Sequence, residues 1–170
     1  MIIRYWGAGL TVLAGGVAAW VLAKEQRDKE RTISEYIDFL DHFASQLQTN
    51  LATLPDACGA AAEAVGGSIG SFFTRLVYAL QQQEEVDAAT CMRAVVDKDD
   101  ALPPLLHGRL LLLGQTLGKY DLDGQIHGIR AVQDLCKRDL EGLIRQREEK
   151  LRSYQAIGLC TGAAIAILLL

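Results

Sequence analysis

Residues 122–170 read LDGQIHGIRAVQDLCKRDLEGLIRQREEKLRSYQAIGLCTGAAIAILLL. The stretch contains no proline. Ile126, Ile129, Val132, Cys136, Leu140 and Leu143 recur three or four apart, the spacing of one face of an α-helix. Arg130, Asp134, Arg138, Glu141, Arg145 and Glu149 fall on the other side, several of them four apart and opposite in sign. Such pairs support an exposed helical face by about 0.2–0.5 kcal/mol each. Charges stop after Arg152, and residues 153–170 are uncharged. The stretch therefore predicts one rod, about 70 Å long at about 1.5 Å per residue, that leaves a helical bundle and enters a bilayer.

A second uncharged run, from Trp6 to Ala23, lies at the other end. It is long enough to cross a bilayer. Every acidic residue, and every basic residue but Arg4, lies between the two runs. The segment between them is mildly acidic, which argues against nucleic acid as a partner. A cleaved signal peptide is the rival reading of the first run, with Val21-Leu22-Ala23 as the cleavage site. The single charge of its n-region, its length, and the immediate return of Lys24, Arg27, Lys29 and Arg31 favour an anchor. The expected organisation is an N-terminal transmembrane helix over 1–23, a cytoplasmic helical bundle over 24–152 and a C-terminal transmembrane helix over 153–170. Basic residues beside the inner ends of both runs place the bundle in the cytoplasm and both termini outside.

The middle segment reads as helices throughout. Ile33, Ile37, Leu40, Ala44, Leu47 and Leu51 form a narrow apolar seam. Thr32 and Glu35 have capping-box spacing, which predicts that the first helix restarts there. Pro55 suits the first turn of a second helix, over 56–65, ended by Gly66-Gly67. Ile69, Phe72, Phe73, Leu76 and Leu80 mark a third, and residues 87–97 a fourth with Ala89, Met92 and Val96 inward. Pro103-Pro104 opens a fifth, closed near Gly118 and so rich in leucine that it is expected to be the central, buried helix, with Leu110 and Leu113 in the core. Asp121 or Asp123 is the expected cap of the sixth. The fold class is all-α, a six-helix bundle flanked by two transmembrane helices.

Little in the chain resembles chemistry. His42, His107 and His127 are not paired with another ligand at metal spacing, and no two cysteines form a knuckle or redox pair. Gly66-Gly67-Ser68-Ile69-Gly70 lacks the strand and lysine of a phosphate cradle and reads as a tight turn. Asp97-Lys98-Asp99-Asp100 lacks the spacing of a calcium loop and reads as a solvated loop. No catalytic residue, metal or cofactor is assigned, although a dyad of Cys91 with His107 stays open. Gly7, Thr11, Gly15 and Ala19, and Gly158, Gly162 and Ala166, form small-residue stripes that favour close packing of helices in lipid.

Leu113-Gly114-Gln115-Thr116-Leu117-Gly118, followed by Asp121, Gln125 and Ile129-Arg130, resembles the signature of the stage III sporulation protein AB family. Pro55-Asp56-Ala57-Cys58 and the closing run from Gly158 agree with it. Gln115 departs from the pattern, which has glutamate there. The resemblance implies the cytoplasmic six-helix domain of type II secretion and type IV pilus platform proteins, in single copy, in the mother-cell membrane of a sporulating bacterium. It implies a non-enzymatic platform in a secretion-like channel complex between mother cell and forespore. The partners it implies are a secretion-type ATPase and other membrane proteins of that complex, with self-association open. Gly114, Gln115, Gly118, Asp121, Gln125 and Arg130 are the candidate interaction residues. Two other readings stay open: a membrane-anchored adaptor or sensor unrelated to secretion, and a membrane-anchored enzyme that depends on cysteine or histidine.

Overall fold

The computed structural model describes the backbone of residues 2–50, 52–82 and 87–169, and the side chains of 24, 26–49, 52–82 and 87–150. The side chains of both apolar runs, the small-residue stripes with Gly7, Thr11, Gly15, Gly158 and Gly162, and Leu51 lie outside the described residues. Among the described residues no helix is long and apolar enough to cross a membrane.

Six helices follow one another: α1 (Ile2–Asn50), α2 (Leu54–Val65), α3 (Gly67–Gln82), α4 (Ala88–Val96), α5 (Pro104–Thr116) and α6 (Leu122–Leu169). The chain divides into two units, one of Asp28–Asp139 and one of Met1–Arg27 with Leu140–Leu170. The first of these holds the bundle.

Local chemistry explains most of the boundaries. The Thr53 hydroxyl accepts from the Asp56 amide, with proline in the first turn, so α2 starts two residues before the expected Asp56. Gly66 and Gly67 both have positive φ, at 65° and 63°, so the α2–α3 corner takes a turn that side chains resist. Asp87 caps α4 through the Thr90 amide at 2.7 Å. The Thr90 hydroxyl, and after it that amide, hold its carboxyl below the usual range. Pro104 opens α5 and Gly118, at φ 75°, lies just past its end.

The expected restart at Thr32 does not occur. α1 is continuous through it, and the Thr32 hydroxyl donates to the carbonyl of Asp28, one turn back within the helix. Glu35 pairs with Arg31 at 2.9 Å instead of reaching back to a cap. Charges four apart let the helix run on where a capping box would have started it.

The core is centred on α1, not on α5. Ile33, Leu40, Ala44 and Leu47 of the expected seam are buried, and Ile37 is half-buried. Tyr36, Phe39 and Phe43 widen that seam with three of the five largest fully buried side chains among the described residues, the other two being Phe72 and Phe73 of α3. Phe39 stacks on Phe73 of α3 with ring centroids 3.6 Å apart, and Phe72 meets Phe73 edge-on at 5.2 Å. Such pairs add about 0.5–1.5 kcal/mol beyond their burial. α5 buries Leu106, Leu110 and Leu113, but Leu105 is 44% exposed and Leu111 and Leu112 only half-buried. Its leucines outnumber the positions that can face inward. α6 behaves as its periodicity requires: Ile126, Ile129, Val132 and Cys136 are buried, while Arg130, Asp134 and Arg138 are exposed.

Candidate functional site

The α5–α6 turn carries the six signature residues, and the structure gives four of them architectural work. Gly114 is buried where a Cβ would come within 2.8 Å of the Met92 Cβ and 3.4 Å of the Ala89 backbone, so α4 and α5 approach only because it is glycine. Gly118 supplies the positive φ after α5. Asp121 caps α6 by accepting from the Gly124 amide at 3.1 Å. The Gln125 side chain donates through Nε2 to the Tyr120 carbonyl at 2.9 Å and closes the turn from the other side. Gly128 completes the packing, since a Cβ there would meet Thr116 at 2.9 Å. Gln115 and Arg130 differ from the other four: both are exposed and form no hydrogen bond or ion pair within the bundle. They are the two signature positions that face solvent without work in the turn. Tyr120 and Leu122, 59% and 38% exposed, flank the same turn.

Two charge pairs hold the loops and helices around this hairpin. The Arg109 guanidinium donates twice to Asp139, at 2.8 and 3.1 Å, and ties α5 to α6. Those bonds to Asp139 push the guanidinium further above its already high range. Asp99 is the second anchor, and it corrects the expectation of a solvated loop over 97–100. Asp97, Lys98 and Asp100 are exposed, but Asp99 is 4% exposed. One of its carboxylate oxygens accepts from the amides of Ala101 and Leu102 at 2.8 and 3.0 Å, and the other pairs with Arg75 of α3. Both pairs were missed from sequence, because their partners stand 24 and 30 residues apart. The Asp99 turn did leave a local trace, an aspartate shortly before Pro103, since aspartates hydrogen-bond the backbone two residues on.

The titratable groups are arranged for stability. Cys58, Cys91 and Cys136 are buried thiols outside any disulfide. Burial pushes the Cys58 thiol up to about 12 and the Cys136 thiol up to about 11, away from the thiolate that a nucleophile needs. Burial, then the neighbouring Cys136 and Cys58, drives the Tyr36 phenol well above its usual range. The Tyr36 hydroxyl has no hydrogen-bond partner, and neither has Nε2 of the half-buried His107. His42 and His127 are exposed. Among the described residues no group of three or more His, Cys, Asp or Glu could hold a metal ion.

These features define an all-α, six-helix domain whose signature turn is chiefly a device for packing and capping. The family model described as Stage III sporulation protein AB matches residues 4–170. The chain belongs to the stage III sporulation protein AB family, and that membership implies a role in stage III of sporulation. A solved structure described as stage III sporulation protein AB has the same fold: 16% identity over 72% of this chain and 98% of that one, with a TM-score of 0.63. No curated protein matches the chain.

Proposed function

We propose that the protein is a non-enzymatic membrane platform in a secretion-like channel complex between mother cell and forespore, where it links a cytoplasmic ATPase to membrane components. The observation that carries this reading is the extent of the family match, which runs from residue 4 to residue 170 and so takes in both apolar runs along with the bundle. Helices anchored at 1–23 and 153–170 hold the bundle in the cytoplasm of the mother cell, with both termini outside. Basic residues at the inner ends of both runs support that orientation. Gln115 and Arg130, exposed and unengaged, offer a face for the motor or for another membrane component. The test is a mild-detergent pull-down of the full-length protein from sporulating cells. Recovery of a secretion-type ATPase, lost when Gln115 and Arg130 are both replaced by alanine, supports the platform. Recovery of no ATPase from cells that contain the assembled complex refutes it.

A further inference from the structure

The bundle carries an acidic groove on α1 and a run of exposed basic residues on α6, and most of these charges have no ion-pair partner among the described residues. The groove, about 250 Å³, lies between α1 and the end of α2. Glu35, Asp38, Asp41 and His42 line one side, with Ala64 and Val65 on the other. Asp38 and Asp41 are exposed and one helical turn apart, and of the three carboxylates only Glu35 has an ion-pair partner, Arg31. The basic edge lies on α6, where Arg130, Lys137 and Arg138 are exposed, with exposed Asp134 among them and exposed Glu141 one turn beyond Lys137. The Gln133 side chain donates to the Ile37 carbonyl at 3.3 Å and to the Asp41 carboxylate at 3.5 Å, which sets α6 alongside this length of α1. Even so, none of Asp38, Asp41, Arg130, Lys137 and Arg138 forms an ion pair among the described residues.

We infer that the occupant of the groove is the basic α6 edge of a second copy of this chain. The argument is charge complementarity. The groove presents carboxylates to any long cationic side chain that enters it, and every copy offers such side chains on a rigid helix. Lys137 and Arg138 stand about two turns, or roughly 11 Å, from Arg130 along α6, so one can enter the groove while Arg130 remains outside. Contact between two different surfaces of identical chains is heterologous, and it builds rings or open arrays, not closed pairs. Electrostatic matching of this kind sets specificity and encounter rate more than raw affinity, so the contact is weak and sensitive to salt. The inference does not depend on the platform reading, since it concerns copies of one chain and involves no ATPase.

Fluorescence energy transfer between differently labelled full-length copies, in a neutral detergent, tests it. Three preparations are compared with the unaltered chain: Asp38→Lys with Asp41→Lys, Lys137→Glu with Arg138→Glu, and an equal mixture of the two doubles. All four positions are exposed, and circular dichroism checks that each variant keeps its helices. Each double alone is expected to lose transfer, because groove and edge then carry like charge. The mixture is expected to regain it, because each variant's groove matches the other's edge. Salt is expected to weaken association of the unaltered chain at least about tenfold between 0.01 and 1 M, as the screening length falls from about 30 to about 3 Å. Transfer that is unchanged in either double, or that does not return in the mixture, overturns the inference. So does an absence of transfer in the unaltered chain at low salt.

Discussion

Replacing Asp99 tests the tightest polar construction in the bundle. Asp99→Ala removes the acceptor of two backbone amides and the partner of Arg75 in one step. Leu102 is 4% exposed, so its amide is left without water or protein to receive it. An orphaned buried donor costs about 1–3 kcal/mol. Ala101 is exposed, and water takes over its amide, which adds about 1 kcal/mol or less. The Arg75 side chain is 54% exposed and relaxes into solvent, so the lost pair adds about 1 kcal/mol at most. The expected loss is about 1–5 kcal/mol. Asp99→Asn keeps an oxygen for both amides but loses the charge and sets an NH2 donor against the Arg75 guanidinium, so it should cost about 1–2 kcal/mol. Arg75→Ala should cost least, about 1 kcal/mol or less. Thermal melts of the full-length protein followed by circular dichroism give the ranking. At about 4 °C per kcal/mol for a domain of this size, Asp99→Ala should lower Tm by about 4–20 °C. If Arg75→Ala costs as much as Asp99→Ala, the ion pair and not the amide cap holds the loop, and the reasoning fails.

Three further outcomes follow from the packing. Gly114→Ala drives a methyl into the Met92 side chain near the Ala89 backbone and should cost about 1–3 kcal/mol. Gly108→Ala in the same helix meets nothing within 4 Å and should stabilise by about 1 kcal/mol, and paired melts check both signs. Tyr36→Phe removes a buried hydroxyl that has no partner, so urea unfolding should show a neutral or stabilising change, whereas a loss above about 1 kcal/mol would reveal a bond to that hydroxyl. The thiols of Cys58 and Cys136, held at about 12 and about 11 when folded against 9.0 unperturbed, favour the protonated form in the folded state. Their contribution is therefore complete below pH 9 and is lost as pH rises from 9 toward 11–12. Melts between pH 8 and 11 should fall, and the fall should flatten when both cysteines are alanine.

The helix count and nearly every boundary were legible because they are written locally. Proline at 55 and 104, glycine at 66, 67 and 118, and caps at Thr53, Asp87 and Asp121 each act within a turn of their own position. Which helix is central was not local information. The leucine content of α5 suggested burial all round, but a helix on the outside of a bundle can turn only one stripe inward, and Leu105 was left over. α1 displaced it through Tyr36, Phe39 and Phe43, which share the seam's three-and-four spacing but were passed over beside its aliphatic residues. In the candidate site the signature marked the correct turn, but it could not separate residues that build the turn from those left facing solvent. That distinction depends on Met92, Thr116 and the Tyr120 carbonyl, whose proximity only the folded chain creates.

The aromatic seam of α1 has a consequence during synthesis. Tyr36 is buried beside both Cys58 of α2 and Cys136 of α6, so its cover is incomplete until the ribosome has made the last bundle helix, about 100 residues later. At about 5–20 residues per second that interval lasts roughly 5–20 s. Phe73 reaches Phe39 earlier and can close part of the face from α3. The rest of the seam emerges as a sticky helix that must wait for its partner, so nascent chains are most exposed to chaperones and to one another before residue 136 appears.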